Sequence, residues 1–591
     1  MARNKFDVDE NLESPFNLTH LKRSLVYVKE YKGKMITALL ISLLGMLIGL
    51  TGPLIMQEAV DKAIPDKDVK KLVLLSMVLL VTIVVNIVFS ALKASMTLKV
   101  GQGIIHDIRK DLFIHLQKLP FSYYDSRPHG KILVRVVQYV NAVSDLLSNG
   151  IINSIMEILN VIFISVFMFI VSPPLALVVI AGVPLFVFSL MIIKKRQRRS
   201  WQKFSNKSSN LNAFVHENIQ GMKVTQIFVR EEENIGIFDN LVSLVRNTWL
   251  KSVYISQTVW MSGELLSQIV FSFVYICGIF WLSGDALTFG VLLAMGSYVA
   301  RFWQPIISLA NIYNQFMNTI SYLERIFETM DEPLLISDKE NASELPQIVG
   351  NVSFNDVTFS YEEGHPILQN VSFAVKEGES IALVGPTGAG KTTVVNLISR
   401  FYDIDSGEIL LDGNNIADVT LKSLRSQMGI MLQDSFIFSG TIADNIRYGN
   451  LLATDEEVEK AAKTVCAHYF INEMEQGYTT EVNERGSRLS QGQKQLISFA
   501  RTLLSDPRIL ILDEATSSID TQTERLLQVG LNELLKGRTS FIIAHRLSTI
   551  KNCDRIMYIV DKGIAECGSH DELMAKKGAY YRLYTSQIKE S

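Results

Sequence analysis

The greatest concentration of chemistry-bearing residues in the 591-residue chain is ESIALVGPTGAGKTTVVNLISRFY, Glu379 to Tyr402. Glycines at 385, 388 and 390 let the backbone turn its N–H groups inward around the oxygens of a phosphate, in a loop that also takes in Pro386, Thr387 and Ala389. Lys391 supplies a mobile cation. Thr392 and Thr393 open the helix that follows, whose positive end faces the same anion. The spelling Gly385-x-x-x-x-Gly390-Lys391-Thr392, entered from the apolar strand Ile381 to Val384 and left through a helical apolar pattern, is the context that a P-loop requires. A second apolar strand, Arg508 to Leu512, ends in Asp513 and Glu514. Asp513 can hold magnesium through water, with the Thr392 hydroxyl also directed to the metal, and Glu514 can polarise the water that attacks a terminal phosphate. An Asp-Glu pair alone would read as an acidic strand cap; behind a P-loop it reads as ATP hydrolysis.

A further phosphate-competent turn lies at LSQGQ, where Ser490, Gly492 and Gln493 open the apparent helix QKQLISFARTLL. These turns need rigid strands beneath them. From Val352 onward the pattern changes to short apolar strands punctuated by Gly and Asn, so residues 351–591 are expected to form an α/β ATPase domain. A polar linker, 324–350, precedes it.

The rest of the chain has a different texture. Mean hydropathy is +0.21, and six stretches approach the ~20 apolar residues needed to cross a bilayer: Met35 to Met56, Leu72 to Leu92, Ile151 to Val171, Leu175 to Ile193, Ser256 to Leu282 and Leu287 to Ala310. Residues 35–323 are therefore expected to be a six-helix membrane domain, after a cytoplasmic segment 1–34 whose polar start predicts no cleaved leader. Lys and Arg cluster before the first stretch and after the fourth, at Lys194, Lys195, Arg196, Arg198 and Arg199, placing both termini and both long loops in the cytoplasm. Those loops bend at Pro120 to Gly130 and near Gly221, candidate contacts for the ATPase half. Glu157 and Glu264 stand in spanning stretches, where a carboxylate needs a reason. Facing a wet cavity they would attract cationic, amphipathic cargo; the alternative is a helix-to-helix hydrogen bond or a lipid-boundary position. Phe302 and Trp303 are expected to be interfacial anchors or packing rather than a cargo box. A net charge of −3 gives no electrostatic support for nucleic acid. The four cysteines lack metal-ligand spacing and read as reduced thiols.

Taken together, the P-loop, the LSQGQ turn, the Asp513-Glu514 strand end and His545 resemble the ABC transporter ATPase, and the membrane half resembles the ABC exporter family. The resemblance implies a membrane all-α domain with six long transmembrane helices followed by an α/β P-loop ATPase domain. It implies ATP and magnesium as cofactors and an address in the bacterial cytoplasmic membrane, with membrane lipid and a small amphipathic cargo as partners. It further implies that Tyr361 stacks on adenine, Gln433 links magnesium to the membrane half, His545 contacts the γ-phosphate, and Asp520 lies in the segment crossing to a partner. Ser490, Gly492 and Gln493 would face a nucleotide held by a second half-transporter subunit. Gln491 stands where the family's signature has glycine, and Asn483 replaces another glycine; both departures fall on the side that serves the partner. That asymmetry resembles the catalytically intact subunit of heterodimeric bacterial multidrug exporters. A homodimeric lipid or peptide exporter, and an ATP-gated channel or regulator, remain the other readings.

Overall fold

The computed structural model describes residues 18–125, 127, 129–282, 287–362, 364–431, 435–483, 486–514, 521–544 and 547–590. The chain divides into two compact units, Met1–Gln117 with Pro128–Glu332 and Lys118–Arg127 with Pro333–Ser591.

The first unit is helical. Its long helices are α1 (Lys32–Leu50), α2 (Val69–Leu116), α3 (Ile151–Val171), α4 (Pro173–Gln220), α5 (Glu231–Leu282) and α6 (Phe289–Met330). Helices are required here because a bilayer core offers no water to satisfy backbone N–H and C=O groups. Five described stretches are long and apolar enough to cross a membrane. The sixth expected span begins two residues before α6 and otherwise lies in it, where Arg301 and Gln304 dilute the apolar run. Pro184 lies inside α4 and Pro305 inside α6, which neighbouring helices make tolerable in a membrane bundle. The start of α6 is held twice: the Thr288 hydroxyl accepts from the Val291 N–H at 3.3 Å, and Asp61 accepts from the Gly290 N–H at 2.7 Å. The core of this unit gathers Phe186, Tyr298, Phe302 and Trp303, all buried. Phe302 and Trp303 meet edge to face at 5.8 Å, so of the two roles expected for them the structure shows packing. The Tyr298 hydroxyl donates to the Leu50 carbonyl at 2.6 Å, tying α6 to the end of α1.

The second unit is built on two larger sheets. One is antiparallel and holds β1 (Val352–Ser360), β2 (Pro366–Val375) and β4 (Ser406–Leu411), in the order β2-β1-β4 followed by the short strand Asn414–Asn415. The other contains β3 (Ser380–Val384), β5 (Met428–Met431), β6 (Ile509–Glu514), β7 (Thr539–Ala544), β8 (Arg555–Val560) and β9 (Gly563–Gly568), in the order β9-β8-β3-β7-β6-β5. It is parallel except for the edge pair β8/β9. Parallel strands buried on both faces read as continuous apolar runs, as IALV in β3 and ILIL in β6 do. Register then fixes the functional edge. Ile543 of β7 pairs with Leu383 of β3 on one side and with Asp513 of β6 on the other. The P-loop and the carboxylate pair therefore emerge at the same end of the sheet, where open α/β folds bind their ligands.

Candidate functional site

The loop leaving β3 has the backbone that its glycines were expected to supply. Gly385 has φ +151 and Gly390 φ +103, left-handed values that cost a side-chain-bearing residue strain. A Cβ at Gly385 would also collide with the Ile559 carbonyl. Gly390 is the N-cap of helix α7 (Lys391–Ile398), and no side chain bonds to that cap. Pro386, Thr387, Gly388 and Thr392 are exposed along the crown of the turn, whereas Lys391 and Thr393 are buried. The Lys391 ammonium donates to the carbonyls of Gly385 at 2.8 Å and Pro386 at 2.9 Å. Burial pulls its pKa below the usual lysine value, opposed by the negative charge of Asp513. In the sheet, Asp513 lies one strand away from the P-loop strand, across β7.

Beside this turn stands a cluster of aromatic rings. The Tyr361 hydroxyl shares a hydrogen bond with the Thr393 hydroxyl at 3.2 Å. Its half-exposed ring meets Phe359 at 4.9 Å and Tyr402 at 5.1 Å, both edge to face. Tyr402 in turn donates to Asp125 at 2.7 Å, and Phe121 lies 5.3 Å from Phe401. Burial and the Asp125 acceptor both push the Tyr402 phenol above its ordinary pKa. The Lys118–Arg127 segment thus folds with the ATPase unit through Phe401 and Tyr402, neither of which sequence reasoning singled out. The fragment RFY just after the P-loop helix was the available signal. The other bend, followed by the helix Met222–Ile227, belongs to the first unit, where Val224, Ile227 and Phe228 are exposed.

The LSQGQ turn is organised differently. Ser490 caps helix α8 (Gln491–Leu504): its hydroxyl accepts from the Gln493 N–H at 3.2 Å, and the Gln493 side chain accepts from the Ser490 N–H at 2.9 Å. Ser490 and Gln491 are exposed and Gly492 is buried. Gln433, Asp520 and His545 lie outside the described residues, as does the side chain of Glu514, whose backbone closes β6.

In the membrane unit the two singled-out carboxylates are not brought together. Glu157 lines a cavity of about 630 Å³ between α1, α2, α3 and α6. Glu264 does not line it; it is exposed on α5 and accepts from Gln268, one turn away, at 3.1 Å.

The family description "ABC transporter transmembrane region" matches residues 35–306, and the description "ABC transporter" matches residues 368–517. The chain is 35% identical over 581 residues to the Bacillus subtilis protein named "Putative multidrug export ATP-binding/permease protein YgaD", covering 96% of this chain and 99% of that one. The chain belongs to the ABC transporter family. Within the family it is an exporter half-transporter, one membrane domain joined to one ATPase domain. It is also 38% identical over 479 residues to the fatty acid ABC transporter ATP-binding/permease protein of Mycobacterium bovis, across 80% of this chain and 75% of the relative. The solved structure of a bacterial Atm1-family ABC exporter with ATP bound matches with a TM-score of 0.81 at 28% identity, over 94% of this chain and 98% of that one. This half-transporter is a multi-pass membrane protein whose ATPase domain, on the cytoplasmic side, couples ATP hydrolysis to export.

Proposed function

We propose that this chain is the hydrolysing half of a two-chain pump that moves small amphipathic molecules, drugs or lipids, out across the membrane. The observation that carries the reading is the difference between two turns of one domain. The P-loop keeps Lys391, Thr392 and the Asp513-Glu514 strand end, whereas the LSQGQ turn has Gln491 where the family signature has glycine. One chain holds one P-loop and one signature turn, so two complete sites need two chains, and a partner of different sequence supplies a signature for this intact P-loop.

In this reading the Gly385 to Gly390 backbone and Lys391 hold the triphosphate, and Tyr361 offers its exposed ring to the base. Thr392 and Asp513 are hard oxygen donors suited to magnesium, with Gln433 the third of the set. Bound magnesium would neutralise charge developing on the transferred phosphoryl group. Glu514 orients the attacking water and His545 meets the γ-phosphate. ATP binding then draws the two ATPase domains together, and Lys118–Arg127, covalently between α2 and α3 yet folded with the ATPase unit, passes that movement to the membrane helices. Shifting such a two-state population from 1:99 to 99:1 takes ~5.5 kcal/mol of differential binding.

The cationic cargo expected from Glu157 and Glu264 is not kept, because Lys93 and Arg301 line the cavity beside Glu157 and Glu264 lies elsewhere. The test is purification of the tagged chain from its own cells. Recovery of a second, related half-transporter supports the pair; recovery of this chain alone makes it a homodimer. In the recovered pump, Glu514→Gln is expected to bind ATP and to lose transport, and undiminished turnover overturns the catalytic assignment.

A further inference from the structure

The cavity between α1, α2, α3 and α6 measures about 630 Å³, inside the range of ~300–1,000 Å³ that encloses a drug-sized ligand. Its walls combine apolar side chains, among them Met46, Phe89 and Ile164, with three ionisable ones, Lys93, Glu157 and Arg301. With the N-terminus in the cytoplasm, Lys93, Glu157 and Arg301 fall on the cytoplasmic side of the middle of their spans, whereas the α1 residues, Ile41 to Leu50, straddle the middle of theirs. Among the described residues, no ion pair joins Glu157 to either cation. Lys93 donates to the Asn153 side chain at 2.9 Å, and Arg301 donates to the Gly49 carbonyl at 2.7 Å. Glu157 accepts from Asn160, on its own helix, at 3.5 Å.

We infer that this cavity seats the headgroup of an anionic single-chain amphipath, a carboxylate or phosphate on an alkyl chain, with Lys93 and Arg301 as its contacts. The inference rests on the export reading and names the class of its cargo. Two cations against one carboxylate leave the wall net positive, and charges inside a membrane are retained where a partner or substrate answers them. Each cation is held by one hydrogen bond to a neighbouring helix, which leaves further N–H groups on the ammonium and on the guanidinium fork. That fork matches a carboxylate or phosphate with two parallel hydrogen bonds. The apolar walls take the chain. A cationic amphipath would meet two like charges in the same space.

The pump, purified with whatever subunit accompanies it and placed in nanodiscs of zwitterionic lipid, is titrated without nucleotide. The probes are fluorescent dodecyl chains ending in carboxylate, phosphate, primary amide or trimethylammonium. An anionic probe is expected to bind about tenfold or more tighter than the amide, with the ammonium weakest, and the order of carboxylate and phosphate names the headgroup. Lys93→Gln and Arg301→Gln are each expected to lose about tenfold for the anion and to hold the amide within about twofold. Lys93→Arg keeps the anion, which separates lost charge from a collapsed cavity. Equal binding of amide, ammonium and anion overturns the proposal, as does either Gln variant that binds the anion like the parent. If ATP moves none of the probes in sealed vesicles, the export reading fails on its own, while the headgroup order still decides the cavity.

Discussion

Helix α7 begins at Gly390 in left-handed backbone with no side chain bonded to its cap, whereas α8 begins at Ser490 inside a reciprocal box with Gln493. Every α-helix starts with N–H groups that have no partner within the helix. In α7 they open onto a turn that Lys391 and three glycines shape for an anion. In α8 the chain satisfies its own end first, which holds the turn in shape without outside help. The same macrodipole is present at both. The difference teaches that the P-loop leaves its helix end open to an anion, while the LSQGQ turn is a cap complete in itself. It also shows why a glutamine fits at 491. That residue is not among those with positive φ, so the glycine of the family signature is not needed there for its backbone freedom.

The comparison is broken most directly at Lys391 and at the two caps. Lys391→Ala is expected to lower ATP turnover by ~100-fold or more, the scale of removing one preorganised group that stabilises developing charge. Ser490→Ala should cost much less. Equal losses in a steady-state phosphate-release assay would erase the distinction. Next in size, Gly385→Ala places a Cβ against the Ile559 carbonyl at φ +151. It is expected to lower the stability of the ATPase unit by ~2–3 kcal/mol, and an unchanged Tm would show that the turn relaxes.

The cap at α8 can be divided into its two roles. Ser490→Ala removes an N-cap worth ~1 kcal/mol, read as a lower denaturation midpoint. Ser490→Asp is expected to restore the midpoint, because aspartate caps as well as serine, but not turnover, because its charge faces the incoming phosphate. Recovery of both would mean that Ser490 serves only the helix. The smallest effect belongs to Gln491→Gly, which should destabilise α8 by ~0.5–1 kcal/mol through backbone entropy. A stabilised variant would show that position 491 needs glycine after all.

How much of this was legible follows from how local each interaction is. The P-loop is spelled by consecutive residues, so its turn and its exit helix could be written from Gly385 to Thr393. The common edge of Asp513 and the P-loop was readable because each apolar strand stops just before its polar residues. The Tyr402 to Asp125 hydrogen bond joins residues 277 apart, and no pattern within either stretch announces the other. The cavity was missed for a different reason. A scan for apolar spans treats Lys93 as a flank and Arg301 as dilution, and it singles out Glu157 and Glu264 because they interrupt otherwise apolar runs. Only the packing of four helices shows that Lys93 and Arg301 share a wall with Glu157 and that Glu264 does not.

The short stretch Lys118–Arg127 has a consequence for how the molecule is made. It leaves the ribosome long before the body it packs on, since Tyr402 follows Asp125 by 277 residues. At ~5–20 residues per second the wait is about 14 to 55 s. Throughout that interval the Phe121 ring stands without Phe401, the ring that later receives it. Newborn chains stalled before Phe401 should therefore be protease-sensitive in this stretch, and chains that have passed Tyr402 should become resistant there. The ATPase unit completes itself only by reaching back to residues synthesised much earlier.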